Sequence, residues 1–230
     1  MGAVKTKRMP RAVREQQMLD AAVRTFGRRG YMAASMDEIA ELAGVSKPLV
    51  YLYLNSKEDL FTACIRREAQ ALTAAVRSGV STDAPADRQL WDGLRAFFTH
   101  TAQNPDGWSV LHLQARTHGD VFAAEVTVMR EDIAGFVTQL ILAAARDAVP
   151  QPGLRSCAGA PEGPGLAEQD AAGLAEALVG AAESLADWAN ATPGVTARQA
   201  AATLMNFAWA GLGNLMDGRP WTAPEEPQAG

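Results

Sequence analysis

The stretch SMDEIAELAGVSKPLVYLY, residues 35–53, decides the fold. Ser35 followed three positions later by Glu38 is a capping box, in which hydroxyl and carboxylate can each satisfy an orphan backbone N–H, so a helix starts there. It ends near Ala43, because Gly44 can take a left-handed backbone that a side chain resists. Val45 and Ser46 then turn the chain into a second helix over residues 47–54. Two short helices joined by a three- or four-residue turn containing glycine make a helix-turn-helix. Ala40, four residues before Gly44, is small enough to let the second helix approach the first. Ile39, Ala43, Val45, Val50 and Tyr53 fall where a core shared with a preceding helix needs apolar groups.

Winding residues 47–54 at 100° per residue places Val50, Tyr53 and Leu54 on one face. Pro48, Leu49, Tyr51 and Leu52 lie on the opposite arc, with Lys47 at its edge and Ser46 just before it. That arc carries no acid to repel phosphate, which suits a helix entering the major groove of double-stranded DNA. Lys47 is placed to donate to guanine or phosphate, and Leu49 and Leu52 to touch thymine methyls. Tyr51 and Lys57 suit phosphate contacts, which set register without reading sequence. Arg8, Arg11 and Arg14, with Lys5 and Lys7 ahead of them, would add salt-sensitive affinity.

Further out, only helical periodicity recurs, and the chain reads as all-α. A first helix over residues 11–29 carries the stripe Leu19, Ala22, Val23 and Phe26, with Gly30 placed to end it in a left-handed conformation. Helices are expected from about 55 to 78, over 87–103, over 108–117 after an Asn104-Pro105-Asp106-Gly107 turn, and over 122–149. Residues 150–165, PQPGLRSCAGAPEGPG, read as a mobile loop. Two more helices follow, over 166–191 and 196–216, the second opened by the capping box Thr196-Ala197-Arg198-Gln199.

The domain organisation expected is a helix-turn-helix domain over residues 1–57, of which 1–10 form a basic arm. A larger regulatory domain spans 58–216, and 217–230 form a disordered tail. The net charge of −5 conceals an asymmetry: residues 1–60 sum to +3 and the remainder to −8. With 48 % hydrophobic and 20 % charged residues, the 230-residue chain has an ordinary globular composition. No apolar run approaches the roughly 18 residues of a membrane span. The basic N-terminus leads into Arg11, Arg14 and Glu15, not the apolar stretch of a secretory signal, so a cytoplasmic location is expected and no membrane partner.

The run SMDEIAELAGVSKPLVYLYLNSKEDLF, residues 35–61, resembles the N-terminal domain of TetR-family transcriptional regulators. Their typical stretch has threonine or serine before the second helix, then A-x-x-A-G-V-S-x-x-x-x-Y-x-Y and S-K-E-x-L. The resemblance implies an all-α homodimer that binds a palindromic operator. It also implies a helical regulatory domain that often takes a small hydrophobic effector, and pairing through the last two helices. Ser35, Lys47, Pro48, Tyr51 and Lys57 fall on family positions that commonly meet DNA. Leu49 and Leu52 stand where the family often has small polar or histidine side chains. The expected function is a repressor released by such a ligand; a DNA-binding regulator without a small-molecule effector is the alternative.

For the effector, the region from 91 to 137 concentrates aromatic and large apolar residues. Trp91, Phe97, Phe98, Trp108, Leu111, His112, Phe122 and Met129 are the pocket candidates, although the same residues would equally build a filled core. For pairing, Leu174, Leu178, Leu185, Leu204, Phe207, Gly211 and Leu215 set large side chains beside small ones, as close helix packing requires. Intramolecular packing alone would look similar. His100, His112 and His118 contain no pair at i, i+4, and Cys64 and Cys157 form no C-x-x-C, so neither a metal nor another cofactor is expected. Phosphate-loop, dinucleotide and nucleophile-elbow motifs are absent, which weighs against a third reading as an all-α enzyme or carrier.

Overall fold

The computed structural model describes residues 10–148 and 166–216, and among them all regular structure is helical. Arg8, the loop expected at 150–165 and the tail expected at 217–230 lie outside the described residues. The surroundings of Gly211 and Leu215 are likewise not described. The helices are α1 (Arg11–Arg29), α2 (Met36–Leu42), α3 (Lys47–Tyr53), α4 (Lys57–Gly79), α5 (Ala86–Gln103), α6 (Pro105–Ser109), α7 (Ala115–Thr117), α8 (Asp120–Ala148), α9 (Glu168–Ala191) and α10 (Ala197–Met216). A π-helical turn, Val110–Gln114, joins α6 to α7. None of the helices described is long and apolar enough to cross a membrane.

The described residues divide into two compact units that do not follow chain order. One comprises residues up to Ser78 together with Thr99–Asp132, the other Gly79–Phe98 and residues from Ile133 onward. The boundary expected after residue 57 thus falls inside the first unit, where α1 packs on α2, on α6 and on the π turn.

The stripe read from the sequence of α1 is its inner face. Leu19, Ala22, Val23 and Phe26 are all buried, with Met18 beside them. On α4, Leu60, Phe61, Cys64 and Ile65 reach no solvent either; Phe61 stands against Phe26, and the Cys64 thiol lies 4.0 Å from the Leu19 carbonyl. Phe26, Tyr31, Phe61 and Phe122 form a cluster of rings, Phe61 standing edge-on to Phe26 at 4.9 Å and to Phe122 at 4.8 Å. Full burial of a phenylalanine contributes roughly 1.5–3 kcal/mol, so this cluster is a principal source of cohesion in the first unit.

Three local expectations are corrected. Gly30 has a positive φ (79°), but its ψ of 158° is extended and not left-handed helical. The chain has to run on to Tyr31, whose N–H donates to Gln114 Oε1 at 3.1 Å. The Asn104–Gly107 segment is not a turn between two helices: α6 begins at Pro105, where proline loses no helical hydrogen bond, and Asp106 and Gly107 lie inside it. The helix expected over 108–117 is interrupted by the π turn.

In the second unit, Ile141, Ala171 and Ala175 form a buried cluster, with Val137, Leu142, Leu166 and Leu174 packed on it. Thr196 and Gln199 make the full reciprocal box that opens α10. The Thr196 N–H donates to Gln199 Oε1 at 2.9 Å, and the Gln199 N–H donates to Thr196 Oγ1 at 3.2 Å.

Candidate nucleic-acid interface

The turn between α2 and α3 closes by a specific hydrogen-bond pattern. The Gly44 N–H donates to the Glu41 carbonyl at 3.0 Å and the Val45 N–H reaches back to the Ala40 carbonyl at 3.0 Å. These are the paired bonds of a Schellman motif, which needs a left-handed residue, and Gly44 supplies it with φ 67°. The chain then extends through Ser46 (ψ 147°) and enters α3, with Pro48 in the first turn. The capping box at the head of α2 is only half made. Ser35 Oγ accepts from the Asp37 N–H at 3.2 Å, while Glu38 turns aside to Arg29 at 3.2 Å.

Val50 is the inward anchor of α3 and reaches no solvent. Opposite it, Leu52 is 74 % exposed and Tyr51 38 %. Ser46, Lys47 and Pro48 are exposed as well, Leu49 partly so, and Ser46 makes no capping bond. The arc read from the sequence is therefore the solvent face of α3, and Ser35 opens onto solvent at the head of α2.

Two of the expected phosphate partners are already engaged within the protein. Lys47 Nζ lies 2.9 Å from Asp37 Oδ2, and that hydrogen bond, with the carboxylate's charge, raises the ammonium's pKa above its usual value. Lys57 Nζ donates to the Met32 carbonyl at 3.3 Å and stands 4.8 Å from the centre of the Tyr31 ring. The Tyr31 hydroxyl donates to Glu58 at 2.9 Å. Burial first, and then this bond and the carboxylate's charge, push the Tyr31 pKa up to about 12. Arg11 stacks over Tyr53, the guanidinium 5.0 Å from the ring centre.

Asp37, Tyr31 and Gln114 were not singled out by sequence reasoning. Asp37 and Lys47 are ten residues apart, which is no helical spacing, and Tyr31 and Gln114 are 83 apart. Asp37 carried a signal only as a charge beside the motif.

The pocket candidates are distributed over both units. Trp91, Phe97 and Phe98 belong to the second, where Phe97 and Phe98 stand edge-to-face at 5.2 Å and the Arg198 guanidinium lies 5.6 Å above Trp91. The other five belong to the first. Trp108 stacks on His112 at 4.9 Å, Leu111 and Met129 are buried, and Phe122 belongs to the ring cluster around Phe61. Of the pairing candidates, Leu178 and Leu204 are buried within the chain, Leu174 packs on the Ile141 cluster and Leu185 is half-buried. Phe207 on α10 is 76 % exposed, and so, at 53 %, is Trp188 on α9.

Comparison with known proteins places this geometry. Residues 18–64 match the family model described as bacterial regulatory proteins, tetR family, and residues 86–211 match a tetracyclin repressor-like C-terminal domain. The chain is 31 % identical over 209 residues to the HTH-type transcriptional activator FasR of Mycolicibacterium smegmatis, covering 90 % of this chain and 87 % of that protein. Among solved structures, a TetR-like transcriptional regulator from Rhodococcus sp. RHA1 superposes with a TM-score of 0.72 at 34 % identity, over 90 % of this chain and 99 % of the other. The regulator FadR from Bacillus subtilis, solved in complex with stearoyl-CoA, shares the fold at a TM-score of 0.62 and 18 % identity, over 84 % and 96 % of the two chains.

Proposed function

Because the chain belongs to the TetR family and is a DNA-binding transcriptional regulator, not an enzyme, we propose that it works as a homodimeric repressor in the cytoplasm, released from a palindromic operator by a small hydrophobic ligand. The observation that carries the reading is the solvent face of α3, where Pro48, Tyr51 and Leu52 stand exposed on a helix anchored from behind by Val50. With Ser35, Ser46, Lys47, Leu49, Lys57 and Arg11, they make up the proposed DNA contact set. The exposed Trp188 and Phe207 support pairing through α9 and α10, since large apolar groups facing water suit an interface.

Support for a ligand comes from the π turn. Such turns are rare and concentrate at functional sites, and this one carries Leu111 and His112, with Trp108 stacked against His112 just before it. The same turn carries Gln114, whose side chain holds the Tyr31 backbone at the end of α1. A ligand that favours an altered π turn over this one would thereby act on α1. Its effect on DNA affinity can be no larger than that preference. The stearoyl-CoA complex of FadR makes a long-chain acyl thioester the first probe.

A second reading, activation, is favoured by the name of the FasR relative. The test is binding of the purified chain to its own upstream region at two salt concentrations, with the mass of the complex, followed by titration with stearoyl-CoA. Release of a salt-sensitive dimer complex supports the ligand-released repressor. Tighter binding on ligand addition supports the activator, and no response supports a regulator without this effector.

A further inference from the structure

Resting on the DNA-binding reading above, we infer that α3 reads its operator chiefly through thymine methyl groups, with Leu52 as the specificity-determining residue and Pro48 beside it. The residues from Ser46 to Leu54 include no Arg, Asn, Gln, Asp or Glu. Together with lysine, these are the side chains that recognise guanine, adenine and cytosine edges through paired or directed hydrogen bonds in the major groove. The polar groups that α3 and its cap do offer are Ser46, Lys47, Tyr51 and Tyr53. Lys47 is held by Asp37 at 2.9 Å, and Tyr53 is half-buried beneath Arg11.

Pro48 and Leu52 are four residues apart and so adjacent along the helix, at the centre of the outward arc. Leu52 is the most exposed large apolar side chain of the helix-turn-helix segment at 74 %, with Tyr51 and Leu49 flanking it. An apolar group pressed on the polar edge of guanine, adenine or cytosine strips water from donors and acceptors without replacing the hydrogen bonds, which is unfavourable. The C5-methyl of thymine is the apolar feature natural base edges present in that groove. Each operator half-site is therefore expected to place a thymine methyl against Leu52.

The experiment uses the full chain and a duplex recovered by selection from a random pool. Each dT of the recovered operator is replaced in turn by deoxyuridine, which removes the methyl and leaves the hydrogen-bonding edge unchanged. Loss of one buried methyl weakens binding about fourfold, and substitution of the symmetry-related dT in both half-sites about 15-fold. In Leu52→Ala, a surface change that leaves the Val50 anchor intact, the same substitution changes affinity by less than twofold. Binding that is indifferent to deoxyuridine at every position, or a deoxyuridine effect that persists undiminished in Leu52→Ala, overturns the inference while leaving the regulator reading in place. Failure of the pool to yield any bound duplex overturns that reading and the inference with it.

Discussion

Lys47 and Asp37 set the electrostatics of the reading head at the scale of single residues. Both are exposed, so the pair adds little to stability, but it lies beside the acid-free face of α3. A DNA phosphate approaching Lys47 has to compete with a carboxylate that also repels it. Asp37→Asn is expected to tighten binding to all duplexes several-fold, and to nonspecific DNA more than to operator, which lowers the specificity ratio. Lys47→Ala is expected to weaken binding to operator and scrambled duplex alike by several-fold, as loss of a phosphate contact does. Titrations against operator and scrambled duplex at two salt concentrations check both. Tyr31 supplies a pH dependence. Its pKa is raised from 10.0 to about 12 in the folded chain, so its contribution is intact below pH 10 and is lost as the pH climbs toward 12. The melting temperature of Tyr31→Phe should accordingly fall less steeply than that of the wild type between pH 10 and 12.

Between elements, the decisive contact is the crossing of α1 over α6. A Cβ added at Gly27 would lie 2.6 Å from the Asp106 carbonyl oxygen, closer than any real Cβ contact. The Arg28 Nε sits 3.1 Å from both carboxylate oxygens of Asp106, and the Ser109 hydroxyl donates to the Gly27 carbonyl at 3.0 Å. Backbone stands against backbone here, and no side chain can swing aside. Gly27→Ala is expected to destabilise by about 1–3 kcal/mol, read as a lowered thermal midpoint. Gln114→Leu leaves the Tyr31 N–H buried without a partner and should lose a similar amount, about 1–3 kcal/mol. If Gly27→Ala melts with the wild type, the crossing is looser than these distances state. The sequence marked Gly30 as the end of α1 and gave Gly27 no role, because only the second helix makes that glycine necessary.

The exposed Trp188 and Phe207 give the whole molecule its pairing prediction. Phe207→Asp places a charge on the expected interface and should shift the chain from dimer to monomer in sedimentation. Operator affinity should fall with it, since the two half-sites of a palindrome are then bound independently. A Phe207→Asp protein that remains dimeric would place the interface elsewhere. Leu178 and Leu204, read from the sequence with Phe207 as one set, are buried inside the chain. Helical spacing assigns large residues to a face but does not say which neighbour covers it.

By itself the sequence determined the all-α class, the helix-turn-helix and the outward arc of α3. Those rest on interactions within a few residues: capping at Ser35 and Thr196, the left-handed turn at Gly44, and the 3.6-residue period that buries Val50 and exposes Leu52. Only the tertiary structure decided that Asp37 holds Lys47, that Gln114 holds the Tyr31 backbone, that Gly27 admits α6, and that Phe122 joins the rings around Phe61. Each of these is a contact between residues whose separation fits no local repeat. Their partners are chosen by how whole helices pack, and packing is a property of the folded chain that no window of sequence contains.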